Sequence, residues 1–212
     1  MQPADLFPAS DFNQWADSYD KDVLQYRDTF PFAGYDHVLD QLVEWANPQA
    51  GMSVLDIGIG TGNLAARFVA KGCDVWGTDY SEAMLNKARL KLPQVRLVYH
   101  DMREPWPAQL ERRFDRIVSG YTFHHLELDR KIALILDLKH DRLEPNGRVI
   151  IADLSFPSAA EMRAYADSIG EALNDEPYWI ADEARAALTK AGLVVQYKQV
   201  SACAGVYRID AA

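Results

Sequence analysis

Cysteine is scarce in this chain of 212 residues: Cys73 and Cys203 are its two, and neither stands in a C-x-x-C pair or a Cys/His cluster with metal spacing. That argues against a disulfide framework and a cysteine metal site, reads both thiols as small core residues, and fits a reducing compartment. Long apolar runs are missing too. No stretch approaches the roughly 20 residues of a membrane span. The opening MQPADLFPASDF has no basic stretch followed by an apolar one, so no signal peptide is expected. Positive charge is in deficit, with 22 Lys and Arg against 31 Asp and Glu and a net charge of -9. Such a surface repels phosphate backbones and anionic membranes, so neither nucleic acid nor membrane is an expected partner, and the expected location is the cytoplasm. Repeats and low-complexity linkers are absent. One domain over 1–212 is expected, with 1–50 as an N-terminal helical lid segment, 51–155 as the core and 156–212 as covering helices and a terminal hairpin.

What is present is an alternation of strands and helices. Short apolar strands read at 53–57 (SVLDI), 74–79 (DVWGTD), 95–100 (VRLVYH), 114–119 (FDRIVS) and 148–154 (RVIIADL). Helices read between them at about 63–71, 81–92 with Ser81 as cap, and 129–143. In the last of these Ile132, Ile135, Leu136 and Leu143 share a face, and the turn Glu144-Pro145-Asn146-Gly147 stops it. A further amphipathic helix after Pro157 carries Met162, Tyr165, Ile169 and Leu173, and a short one at about 181–191 ends at Gly192. Ahead of the first strand, a helix covers about 35–46 and another covers FNQWADSYD at 12–20. Strands separated by helices imply a parallel sheet. The last two strands, about 193–200 and 204–209, are joined too tightly for a crossover and must form an antiparallel hairpin. The expected fold is α/β and Rossmann-like, with seven strands, the last one antiparallel, and helices on both faces.

One segment carries the chemistry: Asp56-Ile57-Gly58-Ile59-Gly60-Thr61-Gly62, between a strand and a helix. Glycines let backbone turn sharply and approach a ligand closely. In open α/β sheets ligands bind at the carboxyl ends of the strands. A dinucleotide site uses G-x-G-x-x-G to bring pyrophosphate to a helix N-terminus. Here the glycines alternate and an acid leads them, which suits a ligand with cationic groups and no phosphate.

The segment resembles motif I of the class I methyltransferases that use S-adenosylmethionine (SAM). The resemblance covers about residues 50–210 and implies SAM as cofactor and S-adenosylhomocysteine (SAH) as product. It implies that Asp56, Gly58, Gly60 and Gly62 form the cofactor turn. It implies that Asp79, followed by Tyr80, accepts from both ribose hydroxyls, with a turn or capping aspartate as the lesser alternative. Met84 would lie on the adenine or simply in the core. Asp101 would accept from the adenine amino group with Met102 beside the ring, and Ser119, ending a segment like motif IV, would offer a carbonyl to the ammonium. Four segments resemble the YrrT-like group of bacterial methyltransferases: 15–20 (WADSYD), 34–40 (GYDHVLD), 62–64 (GNL) and 121–126 (YTFHHL).

Methyl transfer from a sulfonium is an in-line displacement onto a nucleophile, for which alignment and exclusion of water matter most. His124 and His125 follow the fourth strand, where the methyl would point. One of them is a base or substrate contact, or the pair only shapes its loop. Tyr19, with Trp15, reads as a lid over SAM or as plain packing. Phe156, Met162, Tyr165, Tyr178 and Trp179 suggest cover over a small-molecule acceptor. Three other functions share parts of this pattern: a non-catalytic SAM-binding regulator, an NAD-type oxidoreductase and a protein methyltransferase.

Overall fold

A computed structural model describes residues 8–170 and 173–211; the reading of residues 1–7 lies outside them. Five parallel strands form first: β1 (Ser53–Ile57), β2 (Asp74–Asp79), β3 (Arg96–Tyr99), β4 (Phe114–Gly120) and β5 (Leu143–Phe156). The chain then makes a two-residue strand β6 (Trp179–Ile180) beside the end of β5, followed by β7 (Val195–Gln199) and β8 (Ala204–Asp210). The main sheet runs β3-β2-β1-β4-β5-β8-β7. β8 lies antiparallel to both β5 and β7. The expected sheet is therefore present, with the short β6 added.

The strands alternate faces. Val54, Val118, Ile150 and Val206 join one buried cluster with α3 (Tyr35–Ala46) and α4 (Asn63–Val69). Leu55, Ile117, Val149 and Tyr207 join a second, with α6 (Leu128–Asp137) and α8 (Ala181–Lys190). Both faces are thus covered, which fits the buried apolar middles of β1 (Val54, Leu55), β4 (Ile117, Val118) and β5 (Val149, Ile150, Ile151). α5 (Glu82–Lys91) begins at Ser81, whose Oγ accepts Met84 N–H at 3.2 Å.

Several elements depart from the sequence reading. Residues 12–20 are not one helix. α1 (Ala9–Trp15) ends before α2 (Tyr19–Gln25), yet the Trp15 and Tyr19 rings still meet edge to face at 4.8 Å. The helix expected to run to 143 ends at Asp137, and a π turn covers Leu138–Arg142. Its buried face is Lys131, Leu134, Ile135 and Leu138, while Leu136 is exposed. A lysine on the core face hid that stripe from a reading based on apolar spacing. Residues 144–147 lie inside β5, at a register shift against β4. Helix α7 (Ala159–Ile169) ends at Gly170 in left-handed backbone, so Leu173 falls beyond it. Among the described residues no helix is long and apolar enough to cross a membrane.

Candidate functional site

Strand order reverses between β1 and β4: β2 and β3 lie on one side, β5 on the other. Carboxyl ends of strands at such a switch leave a crevice. A cavity of ≈ 680 Å³ opens there, lined on one side by the turn after β1 and on the other by residues from α1 and α2.

The turn is shaped by its glycines. Gly60 has φ +54 and a Cβ there would meet no protein atom, so the open space beside it is the cavity itself. A Cβ on Gly58 would come within 2.3 Å of Thr122 Oγ1, tying the turn closely to the loop after β4. Asp79 fastens the same turn. Its Oδ2 accepts Gly60 N–H at 2.8 Å and its Oδ1 accepts Ser81 N–H at 2.9 Å. Burial pushes its carboxyl up to about 6, against the pull of these backbone donors. Asp56 is buried on the cavity wall, and its Oδ2 has no protein partner. Burial, then the neighbouring Asp79, raises its carboxyl well above the usual range. The wall thus presents one carboxylate with a spare buried oxygen and a second fixed by backbone. Both fit a ligand that carries an ammonium and a pair of hydroxyls.

Tyr80, Met84, Asp101 and Met102 line the same cavity. The Asp101 carboxylate already takes the Arg103 guanidinium, with Nη2 to Oδ2 at 2.6 Å, and Arg103 also lies 5.4 Å over the Tyr80 ring. An adenine amino group at Asp101 would have to share it. Two residues named from sequence are not on the wall. Gly62 is the N-cap of α4 with φ +89, and a Cβ there would meet Leu92 Cδ1 at 2.9 Å. Ser119 is buried and donates to Ile57 O at 2.7 Å, while the next residue, Gly120, lines the cavity.

The side of the cavity opposite the glycine turn is aromatic. Phe12, Trp15, Tyr19, Phe32, Tyr35 and Tyr121 line the cavity. Tyr121 has φ 55, left-handed backbone that a bulky residue adopts only when its surroundings hold it there. Burial and then Tyr35 hold the Tyr19 hydroxyl well above its usual range. Polar side chains fasten α1 and α2 to the glycine turn and to α5. Asp20 Oδ1 accepts Thr61 Oγ1–H at 2.6 Å and Asn63 Nδ2–H at 3.1 Å, and Lys91 reaches Asp20 Oδ2 at 2.8 Å. Asn13 Oδ1 accepts from Ser81 Oγ at 2.7 Å and from Ala83 N at 3.2 Å.

His124 and His125 both stand on the wall, on the 3-10 turn Phe123–His125. His124 Nδ1 lies 2.6 Å from Asp153 Oδ1, and Trp179 Nε1–H reaches Asp153 Oδ2 at 2.9 Å. Asp153 and Asp20 went unread as site residues. The signal for Asp153 was an acid inside the apolar strand RVIIADL; Asp20 had none beyond its place next to Tyr19. Among the described residues no group of three or more His, Cys, Asp or Glu is placed to hold a metal.

Residues 54–147 match a family model described as a methyltransferase domain. An uncharacterized methyltransferase of Geobacillus thermodenitrificans is 35% identical, over 90% of this chain and 91% of that protein. The uncharacterized methyltransferase YrrT of Bacillus subtilis is 36% identical, over 81% of this chain and 78% of its own. Among solved structures, the DhpI-SAM-HEP complex matches with TM-score 0.75 at 18% identity, covering 99% of both chains. The magnesium protoporphyrin IX methyltransferase of Synechocystis, with SAH bound, matches with TM-score 0.71 at 15% identity, covering 96% of this chain and 99% of that one. At those identities the likeness to solved structures speaks for the fold alone.

Proposed function

The chain belongs to the class I SAM-dependent methyltransferases, in the group of the YrrT proteins, and from that membership we propose that it methylates a small-molecule acceptor by in-line displacement. The observation that carries the acceptor class is the cavity. It is roofed by α1 and α2 and walled by aromatic rings, which suits a ligand that is enclosed rather than a macromolecule docked at an open cleft. The acidic balance of the chain, -9, argues in the same direction against nucleic acid.

In this reading Asp79 accepts from the ribose hydroxyls, Asp56 faces the ammonium, and Gly58 and Gly60 give the backbone room for the methionine end. Met84, Tyr80 and Met102 border the adenine, with Asp101 shared between its amino group and Arg103. Tyr19 and Trp15 cover the bound cofactor. SAM supplies a methyl group already activated on its sulfonium. The chain's own work is then alignment and the exclusion of water by the lid.

The experiment is methyl labelling. Purified protein is given labelled SAM and a cell extract split by size into a small-molecule and a macromolecular fraction. Label and SAH should appear with the small-molecule fraction. Label on protein would overturn the acceptor class, and SAH binding without turnover on either fraction would favour a non-catalytic SAM-binding role.

A further inference from the structure

The two histidines after β4 stand in different surroundings. His125 rests against the lid, its ring 5.4 Å from Phe12. Burial, then His124, Arg103 and Lys131, drives its pKa down to about 2, so it is neutral and a very weak base at pH 7. His124 is tied to Asp153. That carboxylate is fully buried in β5 and already accepts Leu154 N–H on Oδ1 and Trp179 Nε1–H on Oδ2, both at 2.9 Å. Trp179 is held in turn, stacked 4.5 Å from Tyr207 with Lys131 Nζ 4.8 Å over its ring.

Asp153 already has an N–H donor on each carboxyl oxygen, and its Oδ1 faces His124 Nδ1, an arrangement satisfied when Nδ1–H donates to Oδ1. In that tautomer Nε2 carries the lone pair. His124 shares the cavity wall with Gly58, Gly120 and Tyr121. The same cavity is lined by Phe30, Pro31, Phe32, Leu154 and Ile169, with Asn174 and Glu176 as polar members.

We propose that His124 is the general base of the methyl transfer, that Asp153 positions it, and that the acceptor is a weakly acidic hydroxyl or thiol on an apolar body. This rests on the methyltransferase reading above. Nε2 takes the O–H or S–H proton. The electron pair so freed on oxygen or sulfur forms the new bond to the methyl carbon, while the pair of the old carbon–sulfur bond stays with the departing thioether. Asp153 stabilises the imidazolium, which releases its proton to water after the product leaves. A neutral amine attacks with a lone pair it already has and needs no such relay.

Long-range proton–nitrogen NMR of the imidazoles in the SAH complex reads the tautomer without any acceptor. His124, assigned from the signals lost in His124→Gln, should be protonated on Nδ1. Asp153→Asn should move the proton to Nε2, because its amide can donate to Nδ1. Added p-cresol or benzyl mercaptan should shift the Nε2 signal, and benzylamine should leave it in place. With whichever probe is methylated, His124→Gln and Asp153→Asn should lower kcat by about 10²–10⁴-fold, with KM for SAM unchanged and partial rescue by Asp153→Glu. An Nε2–H tautomer in the wild type, or turnover in His124→Gln within tenfold of it, overturns the relay. A response to benzylamine alone, or to no probe, overturns the acceptor class. If wild-type protein does not bind SAH by calorimetry, the methyltransferase reading of the cavity fails instead, so the failures are distinguishable.

Discussion

Asp79 sets the pH sensitivity expected of the cavity. Its carboxyl is raised from 3.8 to about 6 by burial. A raised carboxyl holds its proton more tightly in the folded state than in the unfolded one. The unliganded fold is therefore favoured at low pH, and loses that advantage as pH climbs from about 4 to about 6. In the proposed assignment ligand affinity should run the other way, since an ionised carboxylate accepts from two ribose hydroxyls better than a protonated one. SAH should bind more weakly as pH drops below about 6, and the raised Asp56 adds in the same direction. Calorimetry at pH 5 and pH 8 checks this, and Asp79→Asn should flatten the difference; a slope that survives would belong to Asp56. At pH 8, Asp79→Ala should weaken SAH by about 10–100-fold, as charged hydrogen bonds are worth ~1.5–3 kcal/mol. The glycines separate binding from folding. Gly60→Val and Gly62→Ala each put a side chain into left-handed backbone, at φ +54 and +89, and each should lose ~1–2 kcal/mol of stability. Only Gly60→Val fills the cavity, so it alone should abolish SAH binding. Normal binding by that variant would move the site elsewhere. At this scale the glycine turn and its acids were legible, because turn geometry and charge are local. Asp153 was not: its partners lie 29 and 26 residues away, and only the fold brings them together.

At the scale of elements, α1 and α2, the proposed lid, are fastened differently from the sheet. Asn13 and Asp20 hold α1 and α2 over the cavity through hydrogen bonds to Ser81, Ala83, Thr61 and Asn63, and Lys91 adds an ion pair to Asp20. Partly exposed ion pairs of this kind are worth ~0–1 kcal/mol each, while Val23 is buried in the core and Trp15 and Tyr19 pack against it, so local opening of α1 and α2 has that packing to break. SAH should slow hydrogen exchange across residues 9–25. Asp20→Ala and Tyr19→Ala should raise the SAH dissociation rate severalfold while the folded fraction stays constant. Equal exchange with and without SAH, together with an unaltered rate in Tyr19→Ala, would reduce the segment to structural packing. The sequence was most readable for β1 and β2, where an apolar run ends at an acid and a turn. It was least readable at residues 16–18, where the helix breaks with no Gly or Pro to mark the place. Trp15 and Tyr19 keep a helical spacing across that break, so the aromatic contact was anticipated and the element carrying it was not. Lys131 was passed over in a reading by apolar residues, yet its side chain is buried on the core face of α6.

At the scale of the molecule, the cavity draws on distant parts of the chain. Phe12 and Glu176 line the same space, and the turn between β1 and α4 lies between them in sequence. A ligand there touches elements that all rest on one sheet, so its binding free energy should appear as stability of the whole chain. Binding to the folded state alone stabilises by about 2.7 kcal/mol when ligand stands at 100 times its dissociation constant. For a chain of this size each kcal/mol moves the midpoint by roughly 2–4 °C. Thermal unfolding monitored by circular dichroism should then show a single transition, as the one-domain reading requires, with a midpoint that SAH raises by roughly 5–11 °C. NAD at the same concentration should leave the midpoint in place, because the glycines after β1 alternate instead of following the dinucleotide spacing and an acid stands ahead of them. Two transitions of which SAH moves only one would divide the chain and tie the cavity to part of it. An NAD shift as large as that of SAH would overturn the assignment of the glycine turn to SAM, whatever the family of the chain.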